Sequence, residues 1–434
     1  MKSLCAFDSY ADYDAAWQAV ASAGVRDLNV DAWAGGRRYL SLATLCLSEA
    51  ELAQLRGVAE RFNTLLDVAV QGVLDDPEWW PTLAWPWPAI ELARQERLHP
   101  SGRATLFGRF DCLLDCDGRW QIVEYNADTP SGGREAAGLE PSIARMHGLR
   151  GPSVGFSRRL VGALTRRIRE HPRQVRLVGV VSAHSWLEDM SQATWLANLL
   201  NRAGVPSLVG DITDLAADGN AITLRGRRID ALYRFYPVER LYRHSVFAPL
   251  MEAAIDGRLL LLNGLRGFLA QSKACLAWLW QYRQTLGRRA CRDIETHLPP
   301  TLLAWENDAD ALLPRGVVKH VNGREGDSVV FGAALDRAGW EARLLEGGYV
   351  VQAAVSSPPV LDADVDDWQR RLTWQTPRYA CVGAFVIEGR FGGCYTRLDG
   401  PITSGRATYV ATLAEPIATP SVSTSTRRPR STTA

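Results

Sequence analysis

The segment Gly108–Asn126 sets Asp117-Gly118 between two apolar-rich runs, the local signal of a tight β-hairpin. A two-residue turn there pairs Asp111 with Glu124 and Arg109 with Asn126, and strand alternation puts all four side chains on one face. Adjacent carboxylates repel unless a cation lies between them, and oxygen ligands from Asp111, Glu124 and Asn126 suit Mg²⁺. Arg109 offers a planar cationic fork to an anion. An ordinary hairpin with a solvated polar face satisfies the same pattern. Next come the polar, glycine-rich stretch Asn126–Gly133 and Arg134-Glu135-Ala136-Ala137, which can open a helix whose N-terminus attracts anions.

Lysine supplies the second constraint. Of the 49 basic residues only Lys2, Lys273 and Lys319 are lysines. Arginine is a poor substitute where a compact, rotatable ammonium must meet phosphate oxygens, so the two interior lysines are candidates for nucleotide contact, the alternative being chance survivors on the surface. Lys319 ends an apolar run and precedes Gly323-Arg324-Glu325-Gly326-Asp327, read as strand, glycine-bearing loop, strand. Such a loop can lay backbone N–H groups over a triphosphate. No lysine follows a glycine, which excludes a Walker-type phosphate loop.

Arg109-Phe110-Asp111 followed by Glu124-Tyr125-Asn126-Ala127-Asp128-Thr129-Pro130 resembles the signature of the glutathionylspermidine synthase and trypanothione synthetase ligases. The likeness continues in order through Glu188-Asp189, Tyr236-Pro237-Val238-Glu239, Gln271-Ser272-Lys273, Lys319 with its Gly-Arg-x-Gly loop, Tyr349–Gln352 and Gly392–Arg397. It implies a mixed α/β fold, a circularly permuted ATP-grasp, and agrees with metal carboxylates that precede the lysines. The family's cofactors are ATP and one or two Mg²⁺. By this resemblance Lys273, Lys319, Gly323, Arg324 and Gly326 contact nucleotide; Asp111, Glu124 and Asn126 hold metal; Arg109 stabilises the tetrahedral oxyanion; and Ser131, Glu188 and Arg397 meet substrate. Three assignments keep alternatives: Glu188 as a helix-start carboxylate, Arg397 as a phosphate contact, and Gln352 as a plain strand residue instead of a nucleotide contact.

The expected organisation is a helical N-terminal region (1–105), the metal hairpin and substrate loop (106–150), an inserted preATP-grasp-like α/β unit (151–262), the nucleotide-binding region (263–416) and a Ser/Thr/Pro/Arg-rich disordered tail (417–434). Trp79-Trp80-Pro81 and Trp85-Pro86-Trp87 form a stiff aromatic loop, expected to pack on the core. With 47% apolar residues the chain buries a large core, and a net charge of +1 argues against nucleic acid as a partner. No long apolar run marks a secretory signal or membrane span, so a cytoplasmic location is expected. The eight cysteines lack zinc-ligand spacing and read as buried free thiols; the seven histidines are dispersed and read as structural.

The reaction this implies joins a carboxylate to an amine through an acyl phosphate, releasing ADP and phosphate. His320 stands where the family usually has proline, and Gly132-Gly133 replace bulkier residues. Both departures point away from glutathione and spermidine, towards another amino acid or peptide and another amine, in specialised metabolism. Loading of a carrier-protein thiol, or a nucleotide-binding regulator without catalysis, are the alternatives.

Overall fold

The computed structural model describes residues 1–415 apart from 5–6, 26–27, 29–31, 35–36, 97–101 and 325, and excludes the side chains of Ala34, Gln375 and Thr376. The expected tail, Cys5 and Glu325 therefore lie outside the described residues.

The largest sheet runs in the order Lys2–Leu4, Leu40–Leu47, Thr408–Ala414, Arg390–Asp399, Arg371–Ile387, Phe107–Leu114, Trp120–Asn126, with Val360–Asp366 paired beside Arg371–Ile387. All its pairings are antiparallel except that of Thr408–Ala414 with Leu40–Leu47. Leu40–Leu47 is buried along its whole length because both faces are covered. Ala43, Leu45 and Leu47 join the core that holds Leu55, Val58 and Phe62 of the helix Glu49–Asp75, whereas Leu40, Leu42 and Cys46 join Tyr13 and Trp17 of the helix Tyr10–Gly24. Residues 1–105 thus hold the helices Tyr10–Gly24, Glu49–Asp75 and Trp87–Gln95 and also give the sheet the edge strand Lys2–Leu4 and the internal strand Leu40–Leu47.

The helix Glu49–Asp75 starts in a reciprocal cap, Ser48 accepting from the Glu51 N–H while Glu51 accepts from the Ser48 N–H. Near its end, a Cβ on Gly72 would fall 2.2 Å from the Trp278 ring, so glycine lets the helix Lys273–Tyr282 pack closely on it. That contact fixes the helix whose first residue is Lys273. Trp79 and Trp85 pack in the core, as expected, and Trp87 is exposed.

The hairpin differs from expectation in an informative way. Asp115 N donates to Arg119 O at 2.9 Å and Gly118 has φ +76°, a three-residue loop in place of the two-residue turn. Alone, this would slip every pair by one. A bulge opposite Asp111/Cys112 restores the register, and Asp111 faces Glu124 and Arg109 faces Asn126 as expected.

The inserted unit is a parallel sheet, Leu260–Leu261, Ala231–Arg234, Val178–Ser182, Ser207–Asp211, with the helix Leu187–Arg202 joining its last two strands. A small antiparallel sheet, Thr301–Leu303, Tyr349–Ala353, Gly316–His320, Val330–Phe331, carries Lys319. Among the described residues Cys46, Cys112, Cys275, Cys381 and Cys394 are buried free thiols, whereas Cys291 is half-buried and Cys116 is exposed, two corrections, the second explained by its place at the tip of the hairpin loop. Among the described residues, no helix is long and apolar enough to cross a membrane.

Candidate active site

A cavity of about 740 Å³ is lined by the hairpin face, by Lys319 and its following loop, and by the inserted unit. Every candidate site residue named from sequence lines it: Arg109, Asp111, Glu124, Asn126, Ser131, Glu188, Lys273, Lys319, Gly323, Arg324, Gly326, Gln352 and Arg397.

Both lysines are buried and oriented by specific acceptors. Lys273 Nζ donates to Glu124 Oε1 at 3.0 Å and to Gly323 O at 2.9 Å. Lys319 Nζ donates to Gln352 Oε1 at 2.6 Å and to Val123 O, at the hairpin bulge, at 3.2 Å. Gln352 in turn donates to Thr301 Oγ1 at 3.0 Å, so this strand residue aims Lys319. Burial, reinforced by the Lys273 charge, lowers the Lys319 pKa to about 8. Gln271, beside Lys273, accepts from the backbone N–H groups of Ala127 and Asp128, each at 3.1 Å, tying the end of the hairpin to the lysine helix.

Asp111 is the centre of the positive wall. Arg109 Nε and Nη2 donate to its two oxygens at 2.7 and 3.1 Å, Arg397 Nη2 reaches Oδ2 at 2.8 Å, and Asn126 Nδ2 reaches the same atom at 3.2 Å. Burial pushes the Asp111 carboxyl up, but Arg109 and Arg397 outweigh it and hold the group below its ordinary pKa. Arg109 lies over the Tyr395 ring at 5.0 Å and donates to Ser131 O at 2.8 Å, closer than to the Ser131 hydroxyl at 3.4 Å. A Cβ on Gly383 would sit 2.6 Å from Arg109 Cδ, so glycine makes room for the guanidinium.

Asp111, Glu124 and Asn126 present hard oxygen donors on one face, as Mg²⁺ requires. Both carboxylates already carry a cationic partner, and Arg109, Arg397, Lys273 and Lys319 outnumber them. The donor set therefore fits a divalent ion that arrives with a polyanion better than a bare ion.

Two loops face each other at the lysine end of the cavity. Gly326 has φ +78°, and a Cβ there would lie 2.5 Å from Thr403 O, so only glycine permits this approach. The second loop, Gly400–Ala407, was not singled out from sequence, although its Gly400 and Gly405 signal a turn-rich cover like that of Gly323–Asp327. Its base is pinned by Asp399, which accepts from Ser404 N and Oγ at 2.7 and 2.8 Å. Arg324 is engaged by protein groups: Glu239 at 2.8 and 3.0 Å, Asp128 at 2.6 Å and Thr129 at 3.0 Å.

The opposite end is built differently. Trp186–Asp189 follow the strand Val178–Ser182, and Pro237 and Arg240 follow Ala231–Arg234, so this wall lies beyond the carboxyl ends of parallel strands, the usual ligand side of such sheets. Trp186 stacks on Tyr236 at 5.3 Å, with Arg240 at 4.8 Å from the Trp186 ring centre. Exposed Glu188 lies in the first turn of the helix Leu187–Arg202. Tyr39, contributed by the N-terminal region, meets Tyr395 Oη at 2.6 Å and donates to Glu135 at 3.2 Å. Its pKa is raised strongly by burial, then by Tyr395, Glu135 and Glu188. Tyr39, Trp186 and Arg240 are aromatic or basic residues whose convergence depends on tertiary structure, so sequence reading missed them.

A family model described as glutathionylspermidine synthase preATP-grasp matches residues 12–415. Among solved structures, a glutathione synthetase-like effector (GSS30) from Globodera pallida, in apo form, is similar with a TM-score of 0.63 at 11% identity, over 94% of this chain and 98% of that one. A putative γ-glutamylcysteine synthetase from Methylobacillus flagellatus KT gives a TM-score of 0.42 at 11% identity, over 79% and 84% of the two chains. No curated protein matches significantly. The first likeness agrees with an ATP-grasp-related synthetase fold. The chain belongs to the glutathionylspermidine synthase family, and that membership supports an ATP-dependent, amide-forming synthetase.

Proposed function

We propose that the protein is an ATP-grasp ligase that joins a small carboxylate to an amine through an acyl phosphate, releasing ADP and phosphate. The observation that carries this reading is the convergence of Lys273, Lys319, Arg109 and Arg397 with Asp111, Glu124 and Asn126 on one cavity of about 740 Å³. Phosphoryl transfer is catalysed mainly by positioning and charge neutralisation, and this wall supplies both.

Lys273 and Lys319 hold the α and β phosphates, with Gly323, Gly326 and the Gly400–Ala407 loop over the chain of phosphates. Asp111, Glu124 and Asn126 would hold magnesium, which when bound neutralises phosphate charge and orients the γ-phosphoryl group. The carboxylate of the first substrate attacks that phosphorus and ADP leaves. The amine then attacks the acyl carbon, Arg109 stabilises the oxyanion, and loss of phosphate and a proton leaves the amide. Ser131 positions Arg109 through its carbonyl, and Arg397 secures Asp111 beside the phosphates. Glu188, with Trp186 and Arg240, belongs to the substrate end.

The test is ADP release from Mg²⁺-ATP with pooled amino acids and short peptides, with and without pooled amines, using Glu124→Gln as the control. Turnover that needs a carboxylate, rises with an amine and vanishes in the variant is the expected result. ADP release that needs neither organic substrate, or that survives Glu124→Gln, overturns the reading. Turnover seen only with a carrier protein would assign the thiol-loading alternative.

A further inference from the structure

Arg324 was expected at the phosphates, yet its guanidinium is engaged by three protein partners from two parts of the fold. It meets Glu239 of the inserted unit and Asp128 and Thr129 of the loop after the hairpin. Asp128 is completely buried, and its other oxygen forms an ion pair with Arg234, itself buried, at 2.5 Å. Val238 N also donates to Asp128 at 3.2 Å. Burial raises the Asp128 carboxyl, but Arg234 and Arg324 together hold it below its usual range.

We propose that Arg324 is the plug of a closure latch: the Asp128–Arg234 pair is a fixed socket, Glu239 is its outer rim, and inserting Arg324 holds the glycine loop shut over the bound nucleotide. This inference rests on the nucleotide reading above.

Three observations separate a latch from a permanent ion-pair cluster. The inner pair is sealed, with side-chain exposures of 0% for Asp128 and 4% for Arg234, whereas Arg324 and Glu239 keep 24% and 30%. Withdrawal of Arg324 therefore leaves Asp128 still paired and returns a partly wet arginine to water, a much smaller penalty than stranding a buried charge. Next, Arg324 sits between Gly323, whose carbonyl holds Lys273 Nζ at 2.9 Å, and Gly326, which abuts Thr403. Seating the plug thus sets a lysine and brings two loops together. Finally, the two arginines and two carboxylates balance in charge, so Arg324 has no surplus positive charge for phosphate while seated. Arg324 is accordingly a positioning residue, acting through Gly323 on Lys273.

The experiment measures association and dissociation of Mg²⁺ with a non-hydrolysable ATP analogue by stopped flow, together with backbone hydrogen exchange of residues 320–330 in the ligand-free protein. Wild type, Glu239→Gln, Arg324→Ala and the double variant are compared. The latch requires both single variants to speed dissociation by about tenfold or more, with association changed less than about twofold, and the double variant to be no faster than Arg324→Ala. It also requires faster exchange in the loop while the melting temperature stays close to wild type.

Slowed release of Arg324→Ala alone, with Glu239→Gln behaving as wild type, overturns the latch, as does acceleration in Arg324→Ala alone, which would mean that Arg324 touches phosphate itself. Additive effects in the double variant, or loss of melting temperature without a change in loop exchange, also overturn it. If wild type does not bind the analogue, the nucleotide reading fails; loop exchange in the ligand-free variants still decides whether the plug holds the loop.

Discussion

The two ends of the cavity contrast in how firmly their side chains are held. On the proposed phosphate wall, Lys273, Lys319, Asp111 and Gln352 are buried and each has protein partners at hydrogen-bond distance. On the proposed substrate wall, Leu187 and Glu188 are exposed, and Trp186 stacks on Tyr236 and carries a cation–π contact from Arg240. A preorganised wall suits chemistry shared by every substrate pair, because fixed charges need no rearrangement as the reaction proceeds. An open wall, assembled from loops at the ends of parallel strands, can change without disturbing that chemistry.

Damage to the proposed phosphate wall is expected to have the largest effect. Lys319→Met should lower kcat/KM for ATP by about 10²–10³-fold in the ADP-release assay, with little change in KM for the amine. Gln352→Leu removes the acceptor that aims Lys319 and should weaken binding of the nonhydrolysable nucleotide by about 10–100-fold in calorimetry. Wild-type affinity after that change would mean that Val123 O alone orients the lysine.

The Lys319 pKa of about 8 gives opposite trends for binding and stability. Phosphate binding favours the charged amine, so affinity should fall by about tenfold from pH 7 to 9, and Lys319→Met should lose that dependence. For stability, below about pH 8 the amine is charged in both folded and unfolded chains, and the burial cost is fully present. Between about 8 and the ordinary 10.5, only the unfolded chain keeps the proton, so this group's contribution to stability rises with pH. Denaturant titrations across that window in wild type and Lys319→Met measure the difference.

The smallest effect belongs to the open wall. Glu188→Gln should raise KM for the amine by less than about fivefold and leave nucleotide binding unchanged, as expected for an exposed charge. A collapse of kcat instead would move Glu188 into the reacting centre and erase the contrast.

The same division governs what could be read from sequence. The hairpin carboxylates, the two scarce lysines and the loop after Lys319 are local patterns, and the structure brings all of them to one cavity. Even there the register came out right through two offsetting departures, a longer turn and a bulge, neither signalled by the residues. Gln352 reads from sequence as a nucleotide contact or a plain strand residue, and its hold on Lys319 carries no local signal because it depends on Lys319 and Thr301 on the two strands that flank it. Arg324 lies in a loop whose motif suggests phosphate, but its partners are remote in sequence. Tyr39, Trp186 and Arg240 had no local signal, since only the packing of the N-terminal region and the inserted unit brings them to the site.

The order of the large sheet constrains synthesis. Leu40–Leu47 pairs on one side with Thr408–Ala414, and Phe107–Leu114, which carries Arg109 and Asp111, pairs with Arg371–Ile387. Early-made strands must therefore wait for late-made partners, the high-contact-order situation that slows folding and exposes apolar edges on the ribosome. Ligase capacity would be absent until the last of these strands is translated, and a chain stopped before Arg371 would present uncovered strand edges prone to aggregation.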